Sequence, residues 1–122
     1  MARQSRLPKP TTGPTVADLQ HRVDEWIGSI RVRYFIELTN MAILTEEVGE
    51  LARIMARTYG EQSFKMGEKK SDAGEEMADV LFVLLCLANQ CDVDLAGAFE
   101  KKMKARTKRD KSRHKKNRKL RA

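Results

Sequence analysis

Apolar residues recur at helical spacing in four stretches of the chain. The first is Val16, Leu19, Val23, Trp26, Ile27 and Ile30. It predicts a helix beginning after Thr15, which with Asp18 three residues on makes a capping-box-like start. Gly28-Ser29 weakens the end of this helix, and Arg31–Phe35 reads as a turn or short linker. The second helix should run from about Glu37 to Tyr59 and stop at Gly60, in the C′ position. Its main apolar stripe is Met41, Leu44, Val48, Leu51, Ala52 and Met55. A polar loop follows, roughly Glu61 to Ser71. Asp72 with Glu75 then opens a third helix that reaches Gln90 or Cys91. That helix is apolar all round from Val80 to Ala88, so it should be the most buried element. Its β-branched content is modest and no second strand-like run exists to pair with it, which favours helix over strand. Asp92-Val93 makes a short link, and Asp94 caps a fourth helix that would carry Leu95, Ala98, Phe99 and Met103 inward. The expected fold is all-α: a four-helix, bundle-like chain.

Apolar residues all but vanish after about Thr107, and all three prolines lie in residues 1–14. The chain therefore divides into a mobile arm over 1–14, a helical domain over 15–107 and a basic, solvated or only partly ordered tail over 108–122. A core this small is marginal alone, so self-association through the bundle is expected. With 41% hydrophobic and 34% charged residues the chain suits a soluble globular domain rather than a disordered one. The longest apolar run, Val80 to Ala88, is nine residues, where a membrane helix needs roughly 20, so no membrane partner is expected. Charges without an apolar run behind them open the chain, which argues against a secretory signal. The two cysteines, Cys86 and Cys91, fall on one helix with about 7.5 Å of rise between them, poor geometry for a disulfide. A reducing, cytoplasmic setting follows, and Cys and His are too few for a zinc module.

The net charge of +7 hides a split. Residues 101–122 hold 13 Lys/Arg against one acid, Asp110, a net of +12, whereas residues 1–100 have a net of −5. An acidic body with a basic tail attracts polyphosphates, whether nucleic acid, free nucleotide or anionic lipid.

Two rows of positions break the apolar pattern in the same way. On helix two, Ile43, Glu47, Glu50 and Ile54 share a face that begins and ends apolar but has acids in the middle. On helix three, Glu76, Asp79, Val83 and Cys86 share a face that opens with two acids and turns apolar. A single such row is usually a solvated face. Two on consecutive helices, where a bundle wants leucine, place four carboxylates toward one interior. Unaided, they would crowd like charges and cost several kcal/mol per buried ion, so either some protonate or cations sit among them. An oxygen-only ligand set selects hard cations, Mg²⁺ or Mn²⁺ as a substitute. The di-iron pattern of ferritin-like bundles needs a histidine that neither His21 nor His114 is placed to supply. Mg²⁺ is usually completed by substrate phosphates, which points to a nucleoside polyphosphate.

The segments Glu46-Glu47-Val48-Gly49-Glu50-Leu51 and Glu75-Glu76-Met77-Ala78-Asp79-Val80-Leu81 resemble the E-E-x-x-E … E-x-x-D signature of MazG-like nucleotide pyrophosphohydrolases, of the all-α NTP pyrophosphatase superfamily. The resemblance extends from about Asp18 to Arg113. It is strongest to short, single-domain YpjD-like members, through Tyr34-Phe35, Arg57-Thr58-Tyr59-Gly60-Glu61, Asp79-Val80-Leu81-Phe82-Val83 and Arg109-Asp110-Lys111. It implies a homodimer or homotetramer with the site at or near the subunit interface. It also implies Mg²⁺-dependent cleavage of an NTP or dNTP between the α and β phosphates, to a nucleoside monophosphate and pyrophosphate. By position, Glu47, Glu50, Glu76 and Asp79 would hold the metal. Glu46 would be a candidate base for the attacking water, with Glu47 the other. Relatives often show K-M-x-x-N-x-x-R at the end of the last helix; here Lys102-Met103 and Arg109 fit, but Arg106 takes the asparagine's place.

Lys102, Arg106 and Arg109 would then steady the leaving pyrophosphate, unless they are only a solvated basic helix end. Trp26, Tyr34 and Phe35 are available to stack on a base, with Arg57 near the phosphates; ordinary core packing is the plainer role for the aromatics. Two other functions compete. The tail could make the chain a nucleic-acid-binding module, although it lacks the interleaved aromatics of a single-strand platform. A metal-stabilised helical dimer without turnover would use the same acids. Phosphoribosyl-ATP hydrolysis is a related chemistry that the motif alone leaves open.

Overall fold

Capping chemistry sets where the helices begin. In the computed structural model, which describes residues 7–10, 12–30 and 32–121, helix α1 spans Val16–Ser29. Thr15 accepts the Asp18 N–H while the Asp18 carboxylate accepts the Thr15 N–H, a complete capping box. Helix α2 spans Glu37–Tyr59 without a side-chain cap at its start. Helix α3 spans Ala73–Gln90, with Asp72 accepting the Glu75 N–H, and α4 spans Leu95–Lys115, with Asp94 accepting the Gly97 N–H. No strand occurs among the described residues, so the chain is all-α with four α-helices there, followed by a short 3-10 turn, Arg118–Leu120. Part of the N-terminal arm (residues 1–6 and 11) and Arg31 of the linker lie outside the described residues.

Gly60 ends α2 with φ −99°, so the left-handed conformation of a usual C′ glycine is not its reason. A Cβ there would stand 2.5 Å from the Ala56 carbonyl oxygen, and that close approach is what excludes a side chain. Gly67 in the following connection does take φ +79°, a turn conformation that glycine adopts without strain.

The most extensive packing is between α2 and α3; α1 packs on α3, and α4 touches α1. Ile54, only 1% exposed, is the most deeply buried apolar side chain of α2, and full burial of such a side chain is worth about 1.5–3 kcal/mol. Asn40 on α2 donates to the Gln90 amide oxygen on α3 at 2.7 Å, so the start of α2 meets the end of α3 and the two helices run antiparallel. A second cluster, Val23, Leu85 and Cys86, joins α1 to α3 with Leu19, Ile27, Tyr34 and Leu95 against it. Gln20 and Asn89 lock this end: Gln20 donates to Asn89 (3.1 Å) and to the Val93 carbonyl (2.8 Å), and its own side-chain oxygen accepts the Leu95 N–H. As expected, α3 contributes the most buried residues.

Two expectations need correction. The row Ile43–Glu47–Ile54 faces α3, whereas the stripe taken as the main one stays largely uncovered, with Met41, Val48 and Met55 exposed. Helix α4 buries none of its residues; Ala98, Phe99 and Met103 are exposed rather than inward, because α4 leaves α3 at 102° and meets the body only near its start. The basic segment after Thr107 is solvated and helical as far as Lys115, since Lys and Arg are good helix formers and need no apolar face to persist. No single helix among the described residues is long and apolar enough to cross a membrane.

Candidate metal centre and the cavity beside it

Antiparallel packing of α2 on α3 brings the two acidic rows face to face. Carboxylate oxygens of Glu47, Glu76 and Asp79 lie within 4.8 Å of one another. Glu76 is buried, Glu47 half-buried and Asp79 exposed, so the group opens to solvent on one side. Burial pushes the Glu47 carboxyl up from the usual range, and the like charges of Asp79, Glu76, Glu50 and Glu46 push the same way. Such a cluster lacks positive charge, and its donors are all carboxylate oxygens, which suits a hard divalent cation. Glu76 accepts a hydrogen bond from the buried Ser71 hydroxyl.

Glu50 occupies the expected helix face but is not drawn into this group. Its carboxylate pairs with Arg53 at 3.2 Å, three residues along α2. Arg53 also holds Glu68 at 2.6 Å and the Lys69 carbonyl at 3.2 Å, and Arg57 reaches Glu68 at 2.8 Å. Arg57 thus ties the α2–α3 connection to α2. The Lys65 N–H, with Arg53 and Arg57 after it, holds the Glu68 carboxyl down to about 2. Glu46 is exposed beside the group.

About one helical turn further along both helices lies an apolar cavity of about 390 Å³. Ile43 of α2 and Val83 of α3, each four residues from an acid of the cluster, form its near wall, and Trp26, Tyr34, Phe35 and Phe82 surround it. Trp26 stands edge-on to Phe82 with centroids 5.8 Å apart. The Tyr34 hydroxyl donates to Asp24 at 2.7 Å and accepts from Asn89 at 3.0 Å; burial, helped by the Asp24 bond, pushes its pKa up to about 12. Phe35 is exposed, while its carbonyl accepts from Asn40 and Gln90. The three aromatics singled out in the sequence therefore gather at one cavity beside the carboxylates.

The cations of α4 do not join them within one chain. Lys102 and Arg106 are exposed on α4, and Arg109 pairs with Asp110 at 2.9 Å. His21 is exposed on α1, and His114 stands 4.0 Å from Asp110. Reasoning on the sequence missed Arg53, Glu68, Ser71, Asn40 and Gln90. The Glu50-x-x-Arg53 spacing was the one local signal among them, since side chains three apart on a helix meet.

The MazG nucleotide pyrophosphohydrolase domain matches residues 35–116, which include the whole carboxylate group. The uncharacterized protein YpjD of Bacillus subtilis (strain 168) is 46% identical over 99 residues, 81% of this chain and 89% of that protein. The crystal structure of Bacillus subtilis YpjD aligns with a TM-score of 0.67 and 44% identity over 76% of this chain and 93% of its own. That of a Bacillus-conserved MazG protein, a nucleotide pyrophosphohydrolase, aligns with a TM-score of 0.67 and 40% identity over 78% and 92%.

Proposed function

This chain belongs to the MazG nucleotide pyrophosphohydrolase family and is an enzyme of that type, and from this premise we propose that it cleaves an NTP or dNTP between the α and β phosphates in a Mg²⁺-dependent reaction. The products are a nucleoside monophosphate and pyrophosphate. The observation that carries the reading is the convergence of Glu47, Glu76 and Asp79 within 4.8 Å. These three residues would hold the cation, with Glu50 a fourth ligand if it leaves Arg53. A bound Mg²⁺, or Mn²⁺ in its place, supplies charge neutralisation of the phosphates and acidifies water.

The chain's own residues supply the rest. Glu46 or Glu47 accepts the proton of the attacking water as its oxygen bonds to phosphorus and the α–β bridging bond breaks. The cavity walled by Trp26, Tyr34 and Phe35, next to the acids along α2 and α3, takes the base. Lys102, Arg106 and Arg109 are exposed on α4, which packs on α1, and none of them pairs with the carboxylates of the centre, so on this reading they meet the pyrophosphate from a second copy. A homodimer or homotetramer is the assembly this requires, and the uncovered stripe of α2 is the surface available to build it. Arg57 is engaged with Glu68 and would have to leave that pair to meet a phosphate. The unpaired thiols Cys86 and Cys91 suit a reducing cytoplasm.

A panel of NTPs and dNTPs incubated with the full chain and Mg²⁺ should release pyrophosphate and the matching monophosphate. No release from any canonical or modified nucleotide overturns the reading, as does full activity in Glu76→Gln or Asp79→Asn. One observation favours a second reading, a nucleic-acid-binding module: α4 presents its basic residues on an exposed helix as far as Lys115. That reading requires binding that falls steeply with salt and is lost when residues 108–122 are removed.

A further inference from the structure

Ser71 is the last residue before the cap of α3, in a stretch flanked by Lys69, Lys70 and Asp72. Serine in such company is ordinarily exposed, yet Ser71 is only 8% exposed and its Oγ donates to Oε1 of Glu76, itself 4% exposed. Among the described residues no other donor meets that carboxylate. Two anchors fix the hydroxyl. Asp72 caps α3 through the Glu75 N–H at 2.8 Å, just after it. Arg53 grips the Lys69 carbonyl at 3.2 Å, just before it. A hydrogen bond to an ionised carboxylate is strong, and a carboxylate held through one oxygen cannot turn freely.

We infer that Ser71 is a positioning residue for the metal centre: its hydroxyl holds the Glu76 carboxylate in the orientation in which it converges with Glu47 and Asp79. The inference rests on the metal reading above. Partners that orient a ligand in this way typically contribute 10–100-fold to metal affinity. Threonine keeps the hydroxyl and alanine removes it, so the two substitutions separate the hydrogen bond from the presence of a small side chain.

The test is a Mn²⁺ titration of the nucleotide-free full chain, followed by paramagnetic resonance of the free ion. The unaltered chain, Ser71→Ala and Ser71→Thr are compared. The midpoint reads affinity in folded molecules, while misfolding shows instead as fewer ions bound per chain. Ser71→Ala should move the midpoint up by about 10–100-fold, and Ser71→Thr should recover most of the loss. An unmoved midpoint in Ser71→Ala, whatever its stoichiometry, overturns the inference, and so does an equal loss in both variants. If the unaltered chain takes up no Mn²⁺, the metal reading itself fails; if it does and Ser71→Ala matches it, only the role of Ser71 fails.

Discussion

Arg53 holds Glu68 at 2.6 Å, and this pair ties the connection between α2 and α3 back onto α2. Arg57 and the Lys65 N–H complete the grip, and together they bring the Glu68 carboxyl from 4.5 down to about 2. A carboxyl lowered in the folded state adds stability above its unfolded pKa, and that contribution is lost as pH falls through the folded value. Stability should therefore decline between about pH 4.5 and pH 2, in part through this group. Glu68→Gln should flatten that part of the profile, as read by urea unfolding at stepped pH. An identical pH dependence in the variant rules the pair out as a source of acid sensitivity.

The crowded acids predict opposite effects of one substitution with and without metal. Glu47→Gln removes a half-buried charge that faces Asp79 and Glu76, so the metal-free chain should melt higher. Mg²⁺ or Mn²⁺ should raise the melting temperature of the unaltered chain, since a ligand at 100 times its Kd adds about 2.7 kcal/mol. In the variant most of that rise should vanish, and turnover should drop by more than the roughly 10–100-fold of an outer-shell change. A full metal-dependent rise in Glu47→Gln removes this residue from the ligand set.

Ile54 closes the same row at its far end. At 1% exposed it is fully buried, and Ile54→Ala should cost about 2–5 kcal/mol in denaturant unfolding. The α2–α3 contact that positions the acids would loosen with it, so metal affinity should fall in parallel. A cost below about 1 kcal/mol would mean that the contact is held elsewhere.

The parts of this molecule that were legible in its sequence are those written in local chemistry. Thr15, Asp72 and Asp94 begin helices through hydrogen bonds three residues long, so composition alone locates them. The convergence of Glu47, Glu76 and Asp79 was legible because two acidic rows on consecutive helices, each flanked by apolar positions, point toward one interior. Glu50 shares the row but answers to Arg53, and a helical wheel gives no account of which neighbour a long side chain chooses. The two faces of α2 were read in the wrong order because Met41, Leu44 and Val48 outweigh Ile43 and Glu47 in hydrophobicity. Which face meets α3 depends instead on the register that Asn40 and Gln90 set. Ser71 carried no periodic signal at all, since its role comes from the fold of a loop.

That uncovered stripe of α2 leads to the last expectation. Met41 is 50% exposed, Val48 47% and Met55 37%, all on one side of a helix whose other side is already packed. On α3, Met77 and Leu81 are similarly uncovered. Apolar side chains left open in this number mark an interaction surface rather than a solvated one. If a second copy covers them, a charge in the middle of the stripe must be desolvated on assembly, at several kcal/mol. Val48→Asp should therefore shift the chain to monomer in sedimentation experiments while leaving its helix content intact. It should also lower turnover, because α4 cations would no longer reach a neighbouring site, yet leave Mn²⁺ binding to the single chain's acids in place. Unchanged sedimentation would locate the assembly surface away from α2, and unchanged turnover in a monomer would return the phosphate contacts to the chain's own residues.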